Sequence, residues 1–197
     1  MNYLIIGLGN PGENYEGTRH NVGRMFVDFV RTQEDFPEWE NEKKAVAQLS
    51  KGKIGKHDVF LSLPDTFMNK SGSAAAYLAR ARKVKSEHVV VAYDDIDLPL
   101  GTLKISFDRG SGGHRGLESV IKALKTREFL RVRFGISGAT PKGKTKKPQG
   151  EEKVLKFLLG AFKKEELTAL KKIFKKAHEA IEVAITEGRE KAMSQFN

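Results

Sequence analysis

Two of the five histidines, His20 and His114, lie in turns rich in glycine, where the backbone lets a ligand approach closely. A carboxylate that accepts from one ring nitrogen of such a histidine makes the other nitrogen a better base, able to deprotonate a water. Side-chain amides aimed at a carbonyl oxygen can stabilise the oxyanion that forms when water attacks the carbonyl. These residue types predict hydrolysis of an activated acyl group by water, with neither a metal ion nor a covalent intermediate.

The segment 7–12 reads GLGNPG and has two other interpretations. It satisfies the dinucleotide-binding pattern G-x-G-x-x-G, whose third glycine must open a helix and whose acidic partner lies roughly 20 residues later, after a second strand. Here Pro11 lies inside the turn and Asp28 lies in a segment with helical apolar spacing, which disfavours a nicotinamide or flavin site. A tight turn without chemistry remains the other alternative.

The chain contains no cysteine, which excludes disulfides, thiolate zinc sites and a cysteine nucleophile. Two partial matches to the serine nucleophile motif, around Ser111 and Ser137, each lack one glycine. The histidines show none of the usual metal-binding spacings, although a metal ion held by His20, His114 and Asp94 stays open as an alternative. We therefore expect no cofactor and no metal.

Strand-like and helical apolar patterns alternate along the chain. Strands are predicted at 3–7, 45–50, 58–63, 88–93, 102–107 and 130–136, and helices at 22–33, 71–81 and 116–124. Apolar residues at three- and four-residue steps from Leu167 to Ala184 predict a final amphipathic helix. This order predicts a single α/β domain over residues 1–197, built as three layers with a twisted, mixed, mostly parallel sheet and helices on both faces.

Three of these strands each end just before an amide or a carboxylate. Asn10 comes after the first strand, Asn69 after the third and Asp94 after the fourth. Ligands of α/β proteins collect at the carboxyl ends of the strands. The sequence therefore predicts that these side chains lie together at the carboxyl edge of the sheet, where a ligand could bind.

The formal net charge of +10 and the isoelectric point of about 9.7 favour a polyanionic partner, and nucleic acid is the natural candidate. The turn-rich segment 137–150 is typical of a mobile flap and contains Lys142, Lys144, Lys146 and Lys147. A second lysine cluster at 163–176 fits nucleic-acid contact and a solvated helix face equally well. Its members are Lys163, Lys164, Lys171, Lys172, Lys175 and Lys176.

No segment approaches the 18 or so consecutive apolar residues of a membrane span. The first residues lack the charged start and the cleavage site of a signal peptide. We expect a cytoplasmic protein without a membrane partner.

Several separate motifs are distributed along the chain: GLGNPG at 7–12, Tyr15, TRHN at 18–21, FMNKSG at 67–72, DDIDLP at 94–99 and GGHRG at 112–116. In type and order they resemble the signatures of bacterial peptidyl-tRNA hydrolase, and the chain agrees with that family in length. The resemblance implies a monomeric α/β enzyme that acts on peptidyl-tRNA. It would cleave the ester between the peptide and the terminal ribose of the tRNA.

The resemblance also implies a role for each matching residue. His20 would be the general base and Asp94 the carboxylate that orients it. Asn10 and Asn69 would hold the substrate and the attacking water, and Tyr15 would contact the end of the tRNA.

Other matching positions concern substrate binding. The resemblance includes His114 among the substrate-binding residues and places Arg133 and Lys104 near the 5′ phosphate of the tRNA. Ser106 departs from the family because a lysine commonly completes the phosphate clamp there.

Arg115 is a second departure, since the family usually has Asn at this position. A guanidinium has only donors, so we predict that Arg115 donates to a peptide carbonyl or a tRNA phosphate and contributes to substrate binding.

A different class of function remains possible, namely a protein of this fold that binds RNA without hydrolysing it. The presence of His20, Asp94, Asn10 and Asn69 favours the hydrolase.

Overall fold

The computed structural model describes residues 1–139 and 145–197. The strands in these ranges are β1 (Asn2–Gly7), β2 (Glu40–Glu42), β3 (Ala47–Ile54), β4 (His57–Pro64), β5 (Val89–Pro99), β6 (Leu103–Phe107), β7 (Leu130–Ala139) and β8 (Thr145–Lys146). The helices are α1 (Val22–Gln33), α2 (Ser71–Ala81), α3 (Arg115–Leu124), α4 (Glu151–Leu158), α5 (Lys164–Thr186) and α6 (Arg189–Phe196). Within these ranges, no helix has both the length and the apolar character needed to cross a membrane.

All strands belong to one mixed sheet, in the order β2-β3-β4-β1-β5-β7-β6, with β8 paired to β7. The four central strands, β4, β1, β5 and β7, are parallel. The antiparallel pairs lie on either side of them. Helices cover both faces, which confirms the predicted three-layer α/β fold.

The central strands are apolar on both faces, as strands between two helical layers must be. On one face, Ile5 and its neighbours pack against α1, α5 and α6. On the other face, Leu4 and Ile6 pack against α2 and α3. The sheet is therefore rigid at its centre, and its carboxyl edge can carry polar groups in fixed positions.

Helix α1 lies unusually close to the sheet at its first turn. A Cβ atom on Gly23 would be 2.2 Å from the carbonyl oxygen of Ala92 and 2.8 Å from the amide nitrogen of Leu8, so only glycine fits. This contact holds the residues just before α1, which include His20 and Asn21, against the carboxyl ends of β1 and β5.

The predicted helices at 22–33 and 71–81 have the expected bounds. Strand β5 continues to Pro99 instead of ending at residue 93, because its polar second half still pairs with β7. The short strands β2 and β8 and the helices α4 and α6 were not predicted. The flap predicted at 137–150 stays a prediction, since 140–144, including Lys142 and Lys144, lie outside the described residues.

Candidate active site

The segment after β1 does not have the geometry of a dinucleotide-binding turn. Gly12 has φ +100° and precedes only a short 3-10 turn, Glu13–Tyr15. The first α-helix begins at Val22, and Asp28 lies within it. The third glycine therefore does not open a helix, and the acidic residue does not follow a second strand, as that motif requires.

Asp94 on β5 lies between two imidazoles. Its Oδ1 atom is 2.9 Å from Nδ1 of His20 and 3.0 Å from Nε2 of His114. The Asp94 side chain is only 3% exposed, and the two rings lie with their centroids 5.1 Å apart. One buried carboxylate oxygen thus accepts from both histidines.

The hydrogen bonds define which nitrogen of each ring carries a proton. His114 caps α3, where its Nδ1 accepts from the backbone N–H of Leu117 at 3.1 Å, so Nε2 carries the proton that is donated to Asp94. His20 donates to the same carboxylate through Nδ1, which leaves its Nε2 unprotonated in the neutral ring. His20 is therefore the histidine able to accept a proton in the cleft.

The carboxylate and the imidazole shift each other's pKa. Burial acts to lower the pKa of His20, but the charge of Asp94 and its hydrogen bond outweigh burial and raise the pKa above the ordinary value of 6.5. Burial acts to raise the pKa of Asp94, whereas His20 and His114 lower it, and the net pKa lies below the ordinary value. Asp94 is therefore ionised at neutral pH and His20 is a stronger base than a free imidazole.

Asn10 is held rigidly at the end of β1. Its Oδ1 accepts from the backbone N–H of Met68 at 2.8 Å. The Asn21 side chain donates to the Asn10 carbonyl at 2.9 Å and accepts from the Asn10 amide at 2.8 Å. Because Oδ1 is used internally, Asn10 offers its Nδ2 donors to a ligand.

A cleft of about 550 Å³ opens beside His20 and Asp94. Its polar wall includes Arg109, Arg115 and Arg133, and helix α4 contributes an apolar wall. The apolar side chains of that wall are Val154, Leu155 and Leu158. At the start of α4, Glu151 forms an ion pair with Arg115, so the two residues connect α4 to the beginning of α3.

The structure brings five of the predicted site residues to the cleft, namely His20, Asp94, His114, Arg115 and Arg133. Asn69 is exposed and lines an adjoining depression together with Arg115. Tyr15 packs edge-on against the exposed ring of Phe67, with 6.5 Å between centroids.

Lys104 is not a cleft residue but lies directly across from Arg133 in the β6–β7 pair. Residues directly opposite in an antiparallel pair have side chains on the same face, but the Lys104 ammonium group donates to the carbonyl oxygen of Asn197 at 3.3 Å. The Arg133 guanidinium also pairs with Asp95 at 2.7 Å. Ser106 is buried opposite Arg131 and offers no charge to a phosphate.

Sequence reasoning missed helix α4 and the roles of Asn21 and Asp95. A signal for α4 existed, since Val154, Leu155 and Leu158 have helical spacing. The functions of Asn21 and Asp95 depend on partners distant in sequence, so no local pattern indicates them.

A second group of metal-ligating residue types within the described ranges consists of Glu34, His178 and Glu182. Glu34 faces Nε2 of His178 at 2.6 Å, whereas Glu182 faces Nδ1 at 3.9 Å. A single ion cannot use both ring nitrogens of one histidine, so this group has the geometry of a hydrogen-bonded contact between the residue after α1 and helix α5.

The fold and site define an α/β protein with a buried histidine–aspartate pair beside a cleft at the carboxyl ends of its parallel strands. The sequence matches the family model for peptidyl-tRNA hydrolase over residues 4–197. The chain belongs to the peptidyl-tRNA hydrolase family.

Individual relatives cover nearly the whole chain. A Pseudothermotoga lettingae protein named peptidyl-tRNA hydrolase is 41% identical over 194 residues, which are 98% of this chain and 96% of the relative. An Aquifex aeolicus protein, also named peptidyl-tRNA hydrolase, is 39% identical over 198 residues, which cover 98% of this chain and 95% of the relative. A crystal structure of peptidyl-tRNA hydrolase from Acinetobacter baumannii is similar with a TM-score of 0.89 at 30% identity, covering 99% of this chain and 94% of that one.

Proposed function

We propose that this protein hydrolyses the ester between the peptide and the terminal ribose of peptidyl-tRNA, with His20 as general base. The observation that carries this proposal is the buried Asp94 carboxylate, which accepts from Nδ1 of His20 and so keeps Nε2 available as a proton acceptor. Family membership supports the substrate class.

In the proposed reaction, Nε2 of His20 takes a proton from a water whose oxygen attacks the ester carbonyl carbon. The carbonyl becomes an oxyanion, which the Nδ2 donors of Asn10 and Asn69 stabilise. The intermediate then collapses with cleavage of the bond to the ribose oxygen, which takes the proton from His20. The products are the free peptide acid and the tRNA, and His20 returns to its neutral form.

The rest of the site contributes to substrate binding in this proposal. Arg115 donates to the peptide or a phosphate, and Tyr15 contacts the end of the tRNA. Arg133 and Lys104 attract the 5′ phosphate of the tRNA. In this proposal the protein acts as a single-domain monomer.

The hydrogen-bond pattern favours this mechanism over one with a metal ion at His20, Asp94 and His114. A metal would need an unprotonated Nε2 on His114, and the ring proton would then lie on Nδ1, facing the N–H of Leu117 at 3.1 Å. Two donors would oppose each other there.

Chelation tests the metal alternative. We expect turnover to survive exhaustive treatment with EDTA, because His20 alone can activate the water. The tRNA must be kept folded by a monovalent salt during the measurement. Turnover that disappears with EDTA and returns with a divalent ion would establish the metal mechanism instead.

Substitution of His20 tests the proposed function directly. We expect His20→Ala to lower kcat on peptidyl-tRNA by about 10² to 10⁴, with little change in RNA affinity, because a positioned base is lost but binding groups remain. His88→Ala is the control, since His88 stacks on Tyr3 and lies outside the cleft.

Two results would contradict the proposal. Full turnover in His20→Ala would remove His20 from the mechanism. Tight binding of peptidyl-tRNA by the unsubstituted protein without any turnover would show that it is an RNA-binding module.

A further inference from the structure

Arg19, the residue directly before His20, is buried and is bonded to a segment far away in sequence. Its Nη1 atom donates to the carbonyl oxygens of Gly160 at 3.1 Å and Ala161 at 2.9 Å. Its Nη2 atom donates to both carboxylate oxygens of Glu166, at 3.0 and 2.9 Å. The guanidinium thus links the turn that carries His20 to the connection between α4 and α5.

Aromatic rings enclose the same guanidinium. Its Cζ atom is 4.7 Å from the ring centroid of Phe157 and 5.3 Å from that of Phe162. Cation–π contacts strengthen when water is excluded, and Arg19 is only 9% exposed. Glu166 in addition accepts from the backbone N–H of Lys163 at 2.6 Å, which anchors the start of α5.

Backbone contacts reinforce this connection. The Arg19 amide donates to the Gly160 carbonyl at 3.1 Å, and the Phe162 amide donates to the Gly17 carbonyl at 3.0 Å. We call this set of contacts between residues 17–19 and 157–166 the Arg19 junction.

The Arg19 junction lies between two functional parts of the cleft. His20 follows Arg19 in the same 3-10 turn, Arg19–Asn21, and Leu158 at the end of α4 lines the cleft. Helix α4 has no fully buried residue, so its own packing holds it weakly and its position depends on the contacts at its ends. A junction at its carboxyl end therefore determines where the apolar wall of the cleft lies relative to the base.

We propose that Arg19 is a positioning residue, which through the Arg19 junction holds His20 and the apolar wall of α4 in a fixed relative position. This inference rests on the proposed function, because it assigns Arg19 an effect on His20 during hydrolysis. Arg19 itself is enclosed by the junction and acts through its neighbour.

Arg19→Lys tests the proposal without removing the positive charge. A lysine can pair with Glu166, but its single ammonium group cannot reproduce the planar guanidinium, which donates at once to Glu166 and to the carbonyl oxygens of Gly160 and Ala161. We expect kcat on peptidyl-tRNA to fall about tenfold or more, since small displacements of a reacting group are costly, and KM to change by less than about twofold. Activity is measured well below the unfolding temperature of each variant.

Arg82→Lys is the matched control. Arg82 also pairs with a carboxylate, Glu42 at 2.7 Å, and also lies over an aromatic ring, with Cζ 5.6 Å from the centroid of Phe60. It is remote from the cleft, so this substitution should lower the unfolding temperature and leave kcat unchanged. If Arg19 had only a structural role, Arg19→Lys would behave like Arg82→Lys: the unfolding temperature would fall and kcat would stay unchanged.

Gly160→Ala is a second variant that retains Arg19. A Cβ atom at residue 160 would lie 3.2 Å from Nη1 of Arg19 and 3.2 Å from the Phe157 carbonyl oxygen, so it displaces the guanidinium slightly. We expect kcat to fall and amide hydrogen exchange at Arg19 and Phe162 to accelerate. Gly138→Ala, whose Cβ would have no neighbour closer than 3.9 Å, should change neither.

The outcomes separate this inference from the proposed function. Absence of turnover in the unsubstituted protein would overturn both the proposed function and the assigned role of Arg19. Normal turnover in the unsubstituted protein together with an unchanged kcat in Arg19→Lys or in Gly160→Ala would overturn the role of Arg19 alone.

Discussion

At the base of the cleft, a single carboxylate oxygen of Asp94 accepts hydrogen bonds from two imidazoles. Two donors stabilise the ionised form of a buried carboxylate that would otherwise be costly to keep charged. The two histidines nevertheless have different roles. His114 has both ring nitrogens engaged, by Asp94 and Leu117, whereas in the proposed reaction Nε2 of His20 accepts the proton of the attacking water.

The raised pKa of His20 predicts a pH dependence. Only neutral His20 can accept a proton, so kcat/KM should rise with pH through a midpoint above about 6.5. In Asp94→Asn the carboxylate that raises this pKa is lost while burial, which lowers it, remains. We therefore expect the midpoint to move to lower pH.

The same substitution should lower the plateau of kcat/KM, although by less than His20→Ala, because the base remains but its orientation weakens. Profiles of kcat/KM against pH for both proteins measure this effect. A midpoint unchanged in Asp94→Asn would show that His20 is not the group whose titration controls turnover.

Helix α4 lines the cleft although none of its own side chains is fully buried in the core. The Arg19 junction holds its carboxyl end, and the ion pair between Arg115 and Glu151 lies at its amino end. The side chains of that pair are 71% and 81% exposed, and exposed ion pairs contribute little to stability. The Arg115–Glu151 pair can therefore exchange for a contact with substrate.

This exchange predicts opposite effects of two substitutions on KM. Arg115→Ala should raise KM about tenfold with little change in kcat, because a donor to substrate is lost. Glu151→Gln should lower KM, because the carboxylate no longer competes for the guanidinium. Steady-state kinetics on peptidyl-tRNA measures both.

The double variant Arg115→Ala/Glu151→Gln serves as the control and should behave like Arg115→Ala. An increase of KM in both single variants would mean that the intact ion pair itself, and not a free Arg115, assists binding.

On the scale of the whole molecule, the positive charge divides between two faces of the sheet. Lys104 and Arg133 lie on the face opposite that of Ile105, which packs in the core with α5. The lysines of α5 lie on the outer side of that helix and hence beyond the other face. The two groups of cations therefore lie on opposite sides of the sheet.

This division predicts which cations contact RNA. We expect Arg133→Ala and Lys104→Ala each to reduce the slope of log affinity against log salt by about one unit. Lys175→Ala on α5 is the matched control and should leave the slope unchanged. The measurement is binding of tRNA over a range of monovalent salt concentrations.

Equal slopes in all four proteins would show that Arg133 and Lys104 serve the fold instead of the RNA. A reduced slope in Lys175→Ala alone would move the RNA-binding surface to α5.

The candidate site residues could be selected from the sequence because their types, and their places in glycine-rich turns or at strand ends, are local features of the chain. His20, Asp94 and His114 were identified in this way, and the structure brings them within hydrogen-bond distance. Helices α1 and α2 followed from apolar spacing. Helix α4 was missed because it is short and amphipathic only over a few residues.

The sequence by itself determined the α/β alternation, the two glycine-rich turns with their histidines and the excess of positive charge, since each depends on neighbouring residues. Only the tertiary structure decided which nitrogen of His20 is free, which face carries Arg133 and which segment Arg19 holds. These features depend on partners up to 147 residues apart, as in the pair of Arg19 with Glu166. Such pairs form only when the strands and helices pack, because no local pattern specifies which distant groups will share a carboxylate or a carbonyl.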